Sequence, residues 1–116
     1  MEAWNAADVD RICDAYAEPT PIYQDGSIVV SGDPNARRAY LESYVDSIRP
    51  ALAEGARWHS PEVGVRRLGS DSAIATVRWV FRRPDGSIIE DYPDTYLLVR
   101  LGQRWAFLAD VIHPSS

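Results

Sequence analysis

Three side chains in the second half of the chain could together perform acid–base chemistry: Asp94, Arg78 and His113. An aspartate enclosed by apolar residues has a raised pKa and can exchange a proton near neutral pH. An arginine can hold a carboxylate or stabilise a developing oxyanion, and a histidine titrates close to neutrality. The structural alternatives are an ion pair between Asp94 and Arg78, and a histidine without a role at the edge of a sheet.

Aromatic and hydroxyl side chains could complete this site as walls that contact a planar ligand or donate a hydrogen bond to it. The alternative for the aromatic members is ordinary packing in a hydrophobic core. The candidates are Tyr23, Trp58, Thr76, Tyr92, Tyr96 and Phe107.

No cofactor motif accompanies these residues. His59 and His113 do not have the spacing of a metal site, and a single cysteine excludes a Cys-based zinc site. The sequence contains neither a Gly-rich phosphate loop nor a Gly-x-Ser-x-Gly elbow. We therefore predict chemistry that needs no metal and no cofactor.

Composition limits the classes of function. The chain has 116 residues, of which 46% are hydrophobic and 25% charged, and this predicts one globular domain over residues 1–116. A net charge of −5 argues against a nucleic-acid-binding module. No apolar stretch approaches ~20 residues, which argues against a membrane span. No basic-then-apolar leader opens the sequence, which favours a cytoplasmic protein.

The first half of the chain is predicted to be mainly helical. Apolar residues at Val9, Ile12, Cys13 and Tyr16 predict a helix that Asn5 or Asp8 caps and Glu18-Pro19 ends. Two short extended segments follow, at 21–24 and 28–30. Asp33-Pro34 then predicts the start of a second helix, which Pro50 kinks or ends.

The second half is rich in Val, Ile, Trp, Tyr and Phe and predicts four strands. Helices followed by an antiparallel meander favour an α+β fold, with helices packed on one face of a curved sheet. The predicted strands are Trp58–Leu68, Ser72–Arg83, Ile88–Leu101 and Gln103–His113.

Two glycine-containing turns predict the register of these strands. A three-residue hairpin at Arg83-Pro84-Asp85-Gly86 would place Arg78 opposite Tyr92 and Thr76 opposite Asp94. A two-residue turn at Gly102-Gln103 would place Asp94 opposite Val111 and Tyr92 opposite His113. This register turns Asp94, Arg78 and His113 towards one pocket.

The same register predicts a second, almost wholly apolar face. A face of that composition is too apolar for free exposure to water, so it predicts a homodimer interface. Its members include Val77, Trp79, Leu97, Val99 and Leu108, with Asp110 as a lone charge on the same face.

Several motifs, in order and spacing, resemble SnoaL-like proteins of the nuclear transport factor 2-like superfamily. The resemblance implies a cone in which a bent antiparallel sheet wraps around helices, with an internal pocket and often a dimer. The motifs are Trp4-Asn5-Ala6-Ala7-Asp8-Val9-Asp10, Tyr16-Ala17-Glu18, Asp25-Gly26, the helix from Gly32 to Leu41, and Arg104-Trp105-Ala106-Phe107 through His113-Pro114.

This superfamily includes ketosteroid isomerases, polyketide cyclases, epoxide hydrolases and dehydratases, and the resemblance implies roles for particular residues. Asp94 matches the late-strand aspartic acid of the isomerases, whose base position falls near Gln24 or Asp25. Asp110 is the nearest match to the last-strand aspartate of the cyclases.

Two hypotheses follow. In the first, the protein is a cofactor-independent isomerase, cyclase or dehydratase for a small apolar carbonyl compound. Asp94 exchanges the proton, Arg78 or a tyrosine stabilises the oxyanion, and His113 assists. In the second, the protein is a non-catalytic module that binds a small hydrophobic ligand or takes part in a dimeric assembly.

Overall fold

A computed structural model of the protein describes residues 2–16, 21–24, 27–31 and 33–113. Short helices precede a long one, and long strands form most of the rest. The elements are α1 (Glu2–Asn5), α2 (Val9–Asp14), β1 (Pro21–Gln24), β2 (Ser27–Ser31), α3 (Pro34–Ala53), β3 (Arg57–Arg67), β4 (Ser72–Arg82), β5 (Ile88–Leu101) and β6 (Arg104–Ile112).

The helices α2 and α3 begin where the sequence predicts. The Asp8 side chain caps α2, and the Asp33 side chain caps α3 by accepting a hydrogen bond from the backbone N–H of Asn35 at 2.9 Å. Helix α3 continues through Pro50 to Ala53. Helix α2 ends at Asp14 and Tyr16 forms a parallel bridge with Phe107, so the predicted end of the first helix at Glu18-Pro19 is wrong. Within the described ranges, no helix is long and apolar enough to cross a membrane.

The strands form one sheet in the order β2-β1-β6-β5-β4-β3. Strand β1 runs parallel to β6, and the other neighbours are antiparallel. The sheet is curved, and the fold is an α+β cone. Helix α3 packs against it through a stripe of helical period, which consists of Leu41, Val45, Ile48 and Leu52. We call the sheet face towards the helices the inner face, and the opposite one the outer face.

The register between β4 and β5 differs by one residue from the prediction. The turn forms as predicted, because Arg83 N donates to Ser87 O at 2.9 Å and Gly86 has a φ of +90°. A bulge between Phe81 and Arg82 then shifts every later pair. Trp79 therefore pairs with Tyr92, and the predicted pairs of Arg78 with Tyr92 and of Thr76 with Asp94 are wrong: the structure pairs Arg78 with Pro93 and Thr76 with Thr95.

The register between β5 and β6 departs from the prediction in the same way. The turn at Gly102 is correct, and the pair Leu98–Phe107 forms as expected. A bulge between Leu97 and Leu98 then shifts the remaining pairs, so that Asp94 lies opposite Ile112 and Tyr96 opposite Asp110. The bulge thereby turns Asp110 onto the same inner face as Asp94. The backbone N–H of His113 donates to the oxygen of Pro93, not to Tyr92.

The two shifts also correct the predicted dimer face. Val77 and Trp79 lie on the inner face, since they pair with Asp94 and Tyr92. Leu97 and Val99 lie on the outer face, and Leu108 has no pairing partner because it is the extra residue of the bulge in β6. Bulges of this kind increase strand bending and twist, which is how a sheet acquires strong curvature.

Candidate active site

A cavity of about 480 Å³ lies between the helices and the inner face. This volume is within the range of small-molecule pockets. Aromatic rings from the helices and the sheet form one end of the cavity, and carboxyl groups of β5 and β6 lie in its wall.

Two of these carboxyl groups face each other across neighbouring strands. Asp94 and Asp110 are each only 3% exposed, and their carboxyls lie within hydrogen-bonding reach of one another. The bulge in β6 creates this pair, because it places Asp110 directly opposite Tyr96 and beside Asp94.

The pair shares one proton at neutral pH, since two adjacent buried carboxyls cannot both ionise at low cost. Burial, and then the neighbouring Asp110, raises the pKa of Asp94 to about 10. Burial also raises the pKa of Asp110, but hydrogen bonds from Asp94 and Tyr16 oppose that rise. The neighbouring Asp110 thus favours the protonated form of Asp94, whereas the hydrogen bonds from Asp94 and Tyr16 favour the charged form of Asp110.

Two tyrosines orient the pair. The Trp79 Nε1 donates to Tyr96 Oη at 3.0 Å, and an indole can only donate, so the tyrosine is left to donate its own hydrogen to Asp94. Tyr16 Oη donates to Asp110 Oδ2 at 3.1 Å. Burial raises the pKa of Tyr16 and Tyr96 well above the usual value, so both remain phenols.

The pair still has room for a ligand. Apart from the shared proton, Asp94 Oδ1 and Asp110 Oδ1 receive no hydrogen bond from the described residues. Buried polar atoms of folded proteins almost always have a partner. A ligand or water molecule that donates hydrogen bonds at this point would satisfy both oxygens.

Arg78 does not belong to this site. Its guanidinium binds the Asp91 carboxylate in two places on the outer face, Nε to Oδ1 at 2.9 Å and Nη2 to Oδ2 at 2.7 Å. A weaker contact of 3.5 Å joins it to Glu62. The prediction that Arg78 shares a face with Asp94 is wrong, because the bulge beside Phe81 reverses the side to which β4 residues point relative to β5.

The structure divides the other predicted residues between the cavity and its surroundings. Trp58, Tyr92 and Tyr96 lie in the cavity wall. His113 borders the cavity just after β6, but its Nε2 lies 2.8 Å from Thr95 Oγ1 on the outer face. The prediction that His113 turns towards Asp94 is therefore wrong, because the register shift in β6 places it opposite Pro93. Thr76 is exposed on the outer face, and Phe107 lies behind Tyr96, with ring centroids 4.3 Å apart. The Tyr23 side chain lies outside the described part of the chain.

Sequence reasoning missed Tyr16, Tyr44 and Glu90 as members of the cavity wall, and it placed Asp110 on the wrong face. One signal could have corrected the second error. A lone carboxylate on an apolar face carries a large desolvation cost, which favours a partner, and Asp94 was the nearest candidate. Within the described residues, no three His, Cys, Asp or Glu side chains are grouped so that they could hold a metal ion.

Comparison with protein families gives a direct match. The model of a family described as NTF2-like protein (DUF6841) matches residues 1–115. The chain belongs to this NTF2-like family. A search of curated proteins found no match for the NTF2-like chain.

Solved structures of low sequence identity share the fold. A putative calcium/calmodulin-dependent protein kinase type II association domain from Thiobacillus denitrificans superposes with a TM-score of 0.78 at 16% identity, over 99% of this chain and 88% of that one. A protein of unknown function with a cystatin-like fold from Nostoc punctiforme gives 0.77 at 12% identity, over 97% and 80%. An NTF-2 like protein of unknown function from Shewanella oneidensis gives 0.70 at 23% identity, over 97% and 88%. These similarities show the fold alone.

Proposed function

We propose that the protein is a cofactor-independent acid–base enzyme that transfers protons on a small, largely apolar carbonyl compound, as an isomerase, cyclase or dehydratase does. The observation that supports this most strongly is the buried Asp94–Asp110 pair, whose two carboxyls lie in the wall of the cavity. A pair of this kind offers an acid and a base within reach of the same substrate.

The two carboxyls have different roles. The Asp110 carboxylate removes a proton from the carbon next to the substrate carbonyl, while Asp94 donates its own proton to the carbonyl oxygen. The product of this step is the neutral enol, and the two carboxyls have then exchanged protonation states. In an isomerisation, Asp110 returns its proton to a different carbon while the enol O–H gives its proton back to Asp94, which restores the carbonyl and both starting carboxyls. In a dehydration, Asp110 instead protonates the departing hydroxyl, which leaves as water, and Asp94 again takes back the enol proton.

Tyr16 and Tyr96 act as positioning residues. Each donates a hydrogen bond to one carboxyl, which orients that carboxyl and lowers its pKa. Arg78 has no part in the reaction because Asp91 binds it on the other side of the sheet. Asp94 therefore takes the place of an arginine in stabilising the developing oxyanion.

Three further expectations from the sequence stand as proposals: one domain over residues 1–116, a cytoplasmic location, and a homodimer. The apolar residues that remain on the outer face support the dimer, namely Leu97 and Val99. Light scattering of the full chain measures its mass in solution, and a monomer at every concentration would remove the dimer proposal.

Proton exchange with solvent tests the enzymatic proposal without knowledge of the natural substrate. A planar apolar ketone such as 2-tetralone exchanges its α-protons in D2O, and NMR follows the rate. We expect the wild-type protein to accelerate this exchange. Asp110→Asn removes the base and should lower the acceleration about 100-fold, as is typical for general-base catalysis.

Asp91→Asn is the matched control, because it removes a carboxylate that Arg78 binds on the outer face of the neighbouring strand β5 and should leave the exchange rate unchanged. An Asp110→Asn variant that exchanges as fast as the wild type would contradict the assigned base. Saturable ketone binding without any exchange would instead identify the non-catalytic ligand-binding module.

A further inference from the structure

The cavity wall carries acidic groups without a compensating arginine. Glu90, Asp94 and Asp110 contribute carboxyls to it. The chain has no lysine, and all of its arginines lie within the described ranges without bordering the cavity. Asp91 also borders the cavity, but Arg78 binds its carboxylate on the outer face. Such a wall repels anions and attracts cations.

One end of this cavity is built from aromatic rings that meet nearly at right angles. The interplanar angle is 86° between Trp4 and Tyr44, 89° between Trp58 and Trp79, and 81° between Trp58 and Tyr92. Phe81 stacks on one face of Trp58, with ring centroids 4.6 Å apart, so Trp58 can present only its other face to the cavity. The face of an aromatic ring carries negative potential, which attracts organic cations.

Glu90 lies at this aromatic end. Glu90 pairs with Phe81 on β4, and Phe81 pairs with Trp58 on β3, so the three residues form one row across the sheet. The Tyr44 hydroxyl donates a hydrogen bond to the Glu90 carboxylate. No arginine among the described residues forms a salt bridge with Glu90. Glu90 and Asp94 are four positions apart along β5, which corresponds to at most about 13 Å between their Cα atoms.

Trp58 supplies a second polar group at the same end. Its side chain belongs to the cavity wall and is 3% exposed, yet its Nε1 donor has no acceptor among the described residues. An unsatisfied buried donor costs free energy until an acceptor reaches it. A ligand that fits here therefore combines a positive charge with a nearby oxygen atom.

We propose that the aromatic end of the cavity binds an organic ammonium group with a neighbouring oxygen, as in an amino alcohol or amino ketone, and that Glu90 is its counter-ion. The inference rests on the proposed function in one respect: the ammonium belongs to the same substrate whose carbonyl reaches Asp94. The substrate class is then an amine-bearing carbonyl compound.

Choline and its uncharged carbon isostere 3,3-dimethylbutan-1-ol test the ammonium site, because they share a hydroxyl and a shape but differ in charge. Tryptophan fluorescence reports binding, since three of the four tryptophans lie in the cavity wall. We expect the wild-type protein to bind choline at least about tenfold more tightly than the isostere. Glu90→Gln should abolish that preference.

Glu54→Gln is the control of equal charge change, because Glu54 is exposed at the end of α3 and should leave the preference intact. Equal binding of the two probes, no saturable response to choline, or a Glu90→Gln variant that keeps the preference would each overturn the proposal. The wild-type comparison decides it even if Glu90→Gln does not fold. The ketone exchange assay is independent, so failure of one proposal is distinguishable from failure of the other.

Discussion

Asp91 and Asp94 lie three positions apart on β5, and their environments are opposite. On the outer face, Arg78 binds the Asp91 carboxylate and lowers its pKa. On the inner face, burial and the neighbouring Asp110 raise the pKa of Asp94. Aspartate on one strand thus has two different states. On the outer side of the sheet it is ionised and paired with an arginine, and on the inner side it is an acid that keeps its proton.

Two things therefore decide whether a carboxyl on this strand is ionised or protonated. One is the face of the sheet to which its position points, and the other is the neighbouring side chain on the adjacent strand. The two aspartates are an odd number of positions apart, so they must point to opposite faces of a regular strand. The acid–base pair exists only because the bulge in β6 adds Asp110 to the face of Asp94.

Asp94→Asn should give the largest contrast in stability between the inner and outer faces. Its effect on the free energy of unfolding should depend on pH. The asparagine resembles the protonated acid but does not ionise. In the wild type, Asp94 keeps its proton in the folded state up to a pH of about 10, whereas the unfolded chain loses it near 3.8. The stability that the raised pKa gives is complete below 3.8 and is lost as the pH rises towards 10.

The free energy of unfolding of Asp94→Asn should therefore increase relative to the wild type as the pH rises. Between pH 5 and pH 9 we expect a gain of at least about 2 kcal/mol, since each unit of pH contributes up to about 1.4 kcal/mol for one proton. Urea unfolding at several pH values measures it. A difference that stays constant with pH would contradict the raised pKa.

The same experiment on Asp91→Asn is the matched comparison. The pKa of Asp91 is lowered by Arg78, so its contribution to stability is present above the unfolded pKa and is lost only as the pH falls below it. The difference between this variant and the wild type should be constant from pH 5 to pH 9. The two aspartates then respond in separate pH windows.

Tyr96→Phe should have a smaller effect, confined to the inner face. It removes the hydrogen bond to Asp94 and leaves Trp79 Nε1 without its acceptor. An unsatisfied buried donor destabilises a protein by about 1–3 kcal/mol. The pKa of Asp94 should rise further, because the hydrogen bond from Tyr96 lowers it. Urea unfolding checks the first effect, and unchanged stability would show that the tyrosine does not hold the pair.

The sequence predicts the architecture well for physical reasons that are local. Asp33-Pro34 begins a helix because of capping chemistry, and glycine at 86 and 102 marks the two turns. Alternating apolar and polar residues, together with many β-branched residues, indicate the long strands. The resemblance to SnoaL-like proteins adds the cone, and the family match confirms the superfamily.

The composition of the site could not be predicted in the same way, because it depends on two bulges. Each inserts one residue without a turn signal, and each reverses the face of every residue beyond it. Both predicted faces are mostly apolar, so hydrophobic alternation does not choose between registers. The predicted register consequently assigns Arg78 to the pocket and Asp110 to the outer face, although it places both turns correctly.

The shared proton of the Asp94–Asp110 pair is tested most directly by NMR titration of the side-chain carboxyl carbons. We expect the Asp94 carbon to keep the chemical shift of a protonated acid through neutral pH and to titrate near pH 10, and we expect Asp110→Asn to lower this midpoint. An Asp94 midpoint near the ordinary value of 3.8 would contradict it.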